Sequence, residues 1–545
     1  MSRRRILRRR EFLRRSALTT GALALGTSGQ TVAPTPAQAA TPAAPAVVKS
    51  GGTVVVANYA MNTDLDPGQA PYMDAWMIHQ NIYEPLMQLK VQPDGTLGYE
   101  AVLAESYGKS ADGTVWTFKL RKDVKFHDGT PLDAKAVAFS FERIMNQGSP
   151  TYKAVYAELS QAFNAVIAKV EAADELTVRF TLKSPPWPFF QNWLAMARIV
   201  SPTAFQKWGP KDFGSHATGT GPFQLAKWDF TAKVCEITKN PNYWQQGYPK
   251  LDRIVWRAVV EPATRLAELE TGGADLATII PPEFAERIRN NPKLTLYGVE
   301  AALFNQIQFM RGVPPFDNLK LRQAVAHAID RKALCQVLYG GLWKPAINNR
   351  WPTMPGFANY NPYPYDPEKA RALLREAGYP SGLEVTLDMP NASSGNPAGQ
   401  RWGEVIQEQL GRVGFKVKLN VIESASFWNL ISTQKKRPGV AYYMTRGAYA
   451  GDVVNEWISM WINGTAWADS VVPGLPELQK QLAKTGDPAQ QMDIVKEMWK
   501  TVDDSLPYVA VAVGMYLFGA QKPLADFNPQ SYGEYLSFKK AYFTS

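Results

Sequence analysis

Arg446, Tyr449 and Asp452 have the side chains and spacing best suited to holding a small charged solute in this 545-residue chain. A carboxylate taken out of water holds a cation only when the two are paired, and a neighbouring aromatic face adds cation–π attraction. A guanidinium offers two parallel donors to a carboxylate. Read from spacing alone, the two charges are solvated loop groups and the aromatics of Tyr442 to Trp461 are core. The other reactive residues are scattered. The four His, at 79, 127, 216 and 327, form no metal-ligand spacing, and there is no Cys-x-x-Cys. Neither a Gly-x-Ser-x-Gly elbow nor a His-Glu-x-x-His motif occurs, so no catalytic constellation is expected, and neither is a metal or cofactor. Asp503-Asp504 falls at a helix end, where solvation accounts for the pair. Cys235 and Cys335 read as buried and unpaired, with one long-range disulfide between them as the alternative.

The chain begins with an export signal. Arg8-Arg9-Arg10-Glu11-Phe12-Leu13 carries a twin-arginine pattern, a weakly apolar run follows from Ser16 to Gly29, and Ala37-Gln38-Ala39 is a cleavage signal. The apolar run is shorter than the roughly 20 residues a membrane span needs. Residues 1–39 hold eight of the 59 basic side chains and one of the 49 acidic ones, so the remainder has 51 basic and 48 acidic residues, a net +3. A balance that even gives no warrant for nucleic-acid binding. Residues 40–50 form an Ala/Pro linker. The roughly 500 residues left exceed what one core supports, so more than one lobe is expected.

The elements that must position any site alternate between two periods. Trp116, Phe118 and Leu120 alternate with Thr117, Lys119 and Arg121, the pattern of a half-buried strand. His127-Asp128-Gly129-Thr130-Pro131 is a turn, and Asp133 caps a helix over Ala134 to Met145. His127 and Asp128 are read as turn structure. Val54 to Ala57 has the apolar run of a buried parallel strand. Gly219-Thr220-Gly221-Pro222 lacks the Lys and the spacing of a phosphate loop. Arg265 to Leu276 is a helix, a Gly cap and a strand start. The pattern is that of an α/β protein.

The run WTFKLRKDVKFHDGTPLDAKAVAFSFER, residues 116–143, resembles the signature of the family-5 solute-binding proteins of bacterial ABC importers, the dipeptide, oligopeptide and nickel binders. The same likeness extends through Asp64-Leu65-Asp66-Pro67, Tyr83-Glu84-Pro85-Leu86, Gly219 to Phe223, Asn240 to Trp244 and Leu321 to Arg331. It implies a two-lobed periplasmic-binding-protein fold of the large type II, three-domain kind, with a hinged cleft. Domain I would comprise 51–90, 216–307 and 507–545, with an inserted domain II at 91–215 and a second lobe at 308–506. It implies import of a peptide or similar polar solute, with an ABC permease and ATPase complex as partners and a soluble monomer in the periplasm after cleavage near Ala39/Ala40.

The resemblance also turns Asp452 and Tyr449 into ligand contacts, the first for an ammonium group. Arg446 is a further candidate, as are Gln69 and Tyr72 beside the Asp64–Pro67 element. Two departures set this chain apart: Val453-Val454 follows Asp452 where relatives have Asp-Pro, and no base lies in Asn391 to Pro397 where dipeptide binders carry an Arg. The rivals are an exported enzyme or redox protein and a sensing receptor of the same fold.

Overall fold

The computed structural model describes residues 48–61, 64–69, 73–91, 97–185, 194–195, 197–350, 356–391, 398–434, 436–447, 458, 461–462, 470–529 and 536–544. Residues 1–39, read above as a twin-arginine leader, lie outside them. Two long antiparallel strands, Leu294–Phe309 and Tyr508–Gln521, run through the middle of the main sheet. Each is longer than the five or six residues typical of a strand, and each is paired on two different sets of neighbours.

At one end they meet Leu276–Ala277, which leads through Thr53–Asn58 and Arg253–Ala258 to the antiparallel pair Val234–Lys239 and Phe223–Asp229. Val54 and Val56 are fully buried between parallel neighbours, as an apolar run of this kind requires. At the other end the strand 294–309 pairs with Val440–Gly447, which lies beside the parallel strands Leu383–Pro390 and Phe415–Ile422. Separate apolar cores serve the two ends. One gathers residues from Val54 to Ala541, and the other runs from Ala301 to Ala512.

A four-stranded antiparallel sheet, ordered Ala104–Lys109, Val115–Leu120, Thr177–Leu182, Ile167–Ala172, stands apart. Its inner face sets Trp116, Phe118 and Phe180 against Phe141 and Phe163 of the flanking helices. The helix over Ala134–Met145 begins as the sequence indicates, with the Asp133 carboxylate accepting from the Ala136 amide at 2.7 Å. Helix Pro262–Thr271 ends on Gly272 in the left-handed region, φ +78°, where a side chain would be strained. Helix Met73–Ile82 ends immediately before Tyr83-Glu84. Both cysteines are buried free thiols. Among the described residues no helix is long and apolar enough to cross a membrane.

Candidate functional site

The register of the main sheet defines where a ligand could sit. In α/β sheets ligands bind outside the carboxyl ends of the strands. Strand Thr53–Asn58 points its carboxyl end down the central pair: Ala57 lies beside Ala277, and Ala277 opposite Gly519. Strand Val440–Gly447 points the other way along that pair, with Gly447 opposite Leu303. Strands 383–390 and 415–422 run parallel to it. The carboxyl ends of both halves therefore face one stretch of the central strands.

That stretch is where the central pairing is broken. Glu300 lies opposite Met515, but the next pair is Phe304 with Val513, so the register shifts between them. Leu303 crosses over Gly514, where an added Cβ would come within 2.4 Å of its side chain. From Gly519 to Gly514 is five residues, or about 17 Å of strand. The space between the two sets of loops is on the scale of a short extended peptide.

On the first side the loop from Asp64 to Gln69 is held from below. Asp66 is fully buried and bonds the Arg143 guanidinium at 3.0 Å, the Lys153 ammonium at 3.2 Å, the Tyr156 hydroxyl and the Gly68 amide. Burial raises its carboxyl pKa, yet the charges of Arg143 and Lys153 outweigh that and hold it at about 2. Arg143 in turn lies 5.1 Å from the ring centres of Tyr156 and Phe205. Asp66 is thus a structural anion that fixes the loop to the helix 134–145. Gln69 sits at the half-buried end of that loop with its amide donating to the Asp64 carboxylate.

Of the other candidates, Arg446 is placed by its backbone opposite Phe304, one residue before the end of its strand. Tyr72, Tyr449 and Asp452 lie outside the described residues. Arg446 thus stands at the strand end that meets Leu303, and Gln69 lies in the loop that follows strand Thr53–Asn58 in the chain.

The histidines are structural. His79 is packed edge-on to Tyr83 at 5.9 Å, and burial beside Arg198 lowers its pKa to about 3. His127 joins the turn to the crossover, accepting from the Gly219 amide at 3.3 Å and donating to the Gly221 carbonyl at 3.0 Å. Burial lowers its pKa to about 4, so it is neutral and protonated on Nε2. His327 bonds the Pro364 carbonyl at 2.7 Å, and His216 stacks on Trp208. Asp128 caps its own turn, accepting from the Thr130 amide at 3.0 Å. Among the described residues, no group of three His, Cys, Asp or Glu could hold a metal.

Sequence reasoning missed several buried carboxylates, and two of them organise their surroundings. Glu84 accepts from the Thr220 hydroxyl at 2.9 Å, the Tyr243 hydroxyl at 2.7 Å and the Trp244 indole at 2.9 Å. Three separate motifs, Tyr83 to Leu86, Gly219 to Phe223 and Asn240 to Trp244, meet on this one side chain. Gly219 and Gly221 are needed beside it because a Cβ there would come within 2.3 and 2.6 Å of the Ile82 backbone. The second is Asp503, and here the solvated-pair reading of Asp503-Asp504 is corrected. Asp504 is exposed beside Lys500, but Asp503 is buried against the Arg350 guanidinium and the Tyr360 hydroxyl.

A two-half sheet joined by paired crossing strands, with the carboxyl ends of both halves facing one gap, defines a solute-binding protein. The chain belongs to the bacterial extracellular solute-binding proteins, family 5, whose model matches residues 98–469. It is 34% identical over 487 residues to the glutathione-binding protein GsiB of Salmonella paratyphi A, covering 87% of this chain and 91% of that protein. It also superposes on a periplasmic binding protein associated with an ABC transporter, DppA of Helicobacter pylori, in complex with the peptide STSA. That match has a TM-score of 0.74 and 26% identity, and covers 91% and 99% of the two chains. A third likeness is to AgaA from A. tumefacien R10 in complex with agropinic acid, with a TM-score of 0.71 and 26% identity over 91% and 99%. The fold is the expected α/β, two-lobed periplasmic-binding-protein fold, and the protein is the solute-binding component of an ABC importer. Its relatives are binding proteins rather than enzymes.

Proposed function

We propose that this protein captures a short peptide, glutathione foremost, between its two lobes and delivers it to the permease of an importer. The observation that carries the ligand class is the likeness to glutathione-binding proteins over 87% of the chain. The gap of about 17 Å between the facing strand ends is consistent with it.

In this reading Asp452 pairs the ligand ammonium while Tyr449 lends its ring face, and Arg446 takes a ligand carboxylate through two parallel donors. Gln69 and Tyr72 contact the ligand from the opposite lobe, Gln69 exchanging its bond to Asp64 for one to the ligand. No chemistry is done on the solute. Domain I comprises 51–90, 216–307 and 507–545, with 91–215 inserted and 308–506 forming the second lobe. A ligand that prefers the closed arrangement shifts the population toward it, and that form meets the permease and its ATPase. The leader 1–39 directs export by the twin-arginine route, with cleavage near Ala39/Ala40 releasing a soluble periplasmic monomer.

The test is calorimetric titration of residues 40–545 with glutathione, the peptide STSA and agropinic acid. Glutathione at 100 times its dissociation constant stabilises the fold by about 2.7 kcal/mol, which a melting curve registers. Asp452→Asn is expected to weaken binding at least tenfold, about 1.4 kcal/mol. Unchanged affinity in that variant removes Asp452 from the site, and saturation by agropinic acid alone replaces the peptide reading.

A further inference from the structure

Behind Glu84 the first half of the molecule encloses a small polar chamber. Gln80, Glu84, Gln88, Arg198, Ser537 and Lys539 supply its polar walls. These residues come from distant parts of the chain: helix Met73–Ile82, the segment after it, the stretch near residue 200 and the last described residues. Its volume is about 10 Å³, the room one water-sized sphere needs.

Two of the wall side chains, Glu84 and Gln88, have their hydrogen bonds accounted for. The Glu84 carboxylate takes three donors, and the Gln88 amide donates to Glu100. Gln80 differs from both. It is 4% exposed, and neither its amide nitrogen nor its amide oxygen has a protein partner. A buried amide left without partners is costly. Its neighbour Asn81 shows what a satisfied amide looks like here, bonding Met77, Leu536 and the Phe538 amide.

We propose that this chamber is a binding site for one resident water molecule, held by the Gln80 amide. The chemistry of the wall decides between the two guests of that size. A halide would be drawn by Arg198 and Lys539 but can only accept hydrogen bonds, leaving the Gln80 carbonyl oxygen unsatisfied. Water both donates and accepts, so it can donate to that oxygen and still accept a hydrogen bond from a cationic neighbour. The water would link helix 73–82 to the 536–539 segment, which Asn81 already joins directly.

Oxygen-17 relaxation dispersion on residues 40–545 counts long-lived internal waters. Gln80→Met, which keeps the length and removes the polarity, is expected to lose one of them, with far-ultraviolet circular dichroism unchanged. An unchanged count overturns the proposal. A high-resolution crystal structure of the unaltered protein grown in bromide needs no variant. One water oxygen within hydrogen-bond distance of Gln80 supports the site, whereas an anomalous bromide peak or an empty chamber rejects it.

Discussion

Glu84 in the first half and Asp503 in the second are both buried carboxylates, and they are held in opposite ways. Glu84 is surrounded by neutral donors, a hydroxyl, a phenol and an indole, and its bonds tie three loops of one core. Asp503 sits against a cation: Arg350 bonds it while lying over the Trp499 and Tyr360 rings at 5.3 and 5.4 Å. The first arrangement distributes one charge over several dipoles, so no single partner is indispensable. The second concentrates the interaction in one pair, so removing either member strands the other in a low-dielectric interior.

Asp503→Ala therefore has the largest expected effect. It leaves Arg350 buried without its counter-ion, a loss of about 3–5 kcal/mol, read by denaturant unfolding. A loss below that of Glu84→Gln would erase the distinction. Glu84→Gln keeps the shape and an acceptor oxygen but turns an amide toward donors, and about 1–3 kcal/mol is expected by the same method.

Acid sharpens the contrast further. Asp66 has a folded pKa of about 2 against 3.8 when free. Its ion pairs therefore stabilise the fold above about pH 4, and the contribution, about 2 kcal/mol, disappears as pH falls toward 2. His127 also fails on the acid side, but earlier. Its folded pKa is about 4 against 6.5, so the neutral ring favours the fold at neutral pH and stability declines as pH drops from about 6.5 to 4. A melting-temperature profile of His127→Gln, flatter than the parent between those values, would isolate that effect; a parallel profile would assign the decline to other groups.

What the sequence disclosed follows the range of the contact. The Asp133 cap, the Asp128 turn and the Gly272 helix end each close within three residues, and their residue types alone predict them. The strand Val54–Ala57 announced its burial because parallel neighbours demand an unbroken apolar run. The motifs around Glu84 were visible as likenesses, but nothing in their spacing said that they meet on one carboxylate. Asp503 looked like half of a solvated pair because Arg350, its partner, stands 153 residues away. The site was legible only as residue types. Gln69 was read as lying beside the Asp64–Pro67 element, yet its bond to Asp64 depends on how Asp66 and Lys153 set that loop, which no local pattern records.

The two ends of the described chain are neighbours. Val48 and Lys49 pair with Thr544 and Phe543, Asn81 bonds Leu536 and Phe538, and Tyr508–Gln521 runs through the middle of the main sheet. A ribosome makes the first half first, yet that half waits for the last forty residues before its sheet and its core can close. The second lobe's strands 383–390, 415–422 and 440–447 precede that tail and can pair with one another sooner. Loss of residues 536–544 would therefore injure the half of the protein farthest from them in synthesis, and the part translated first is the part finished last.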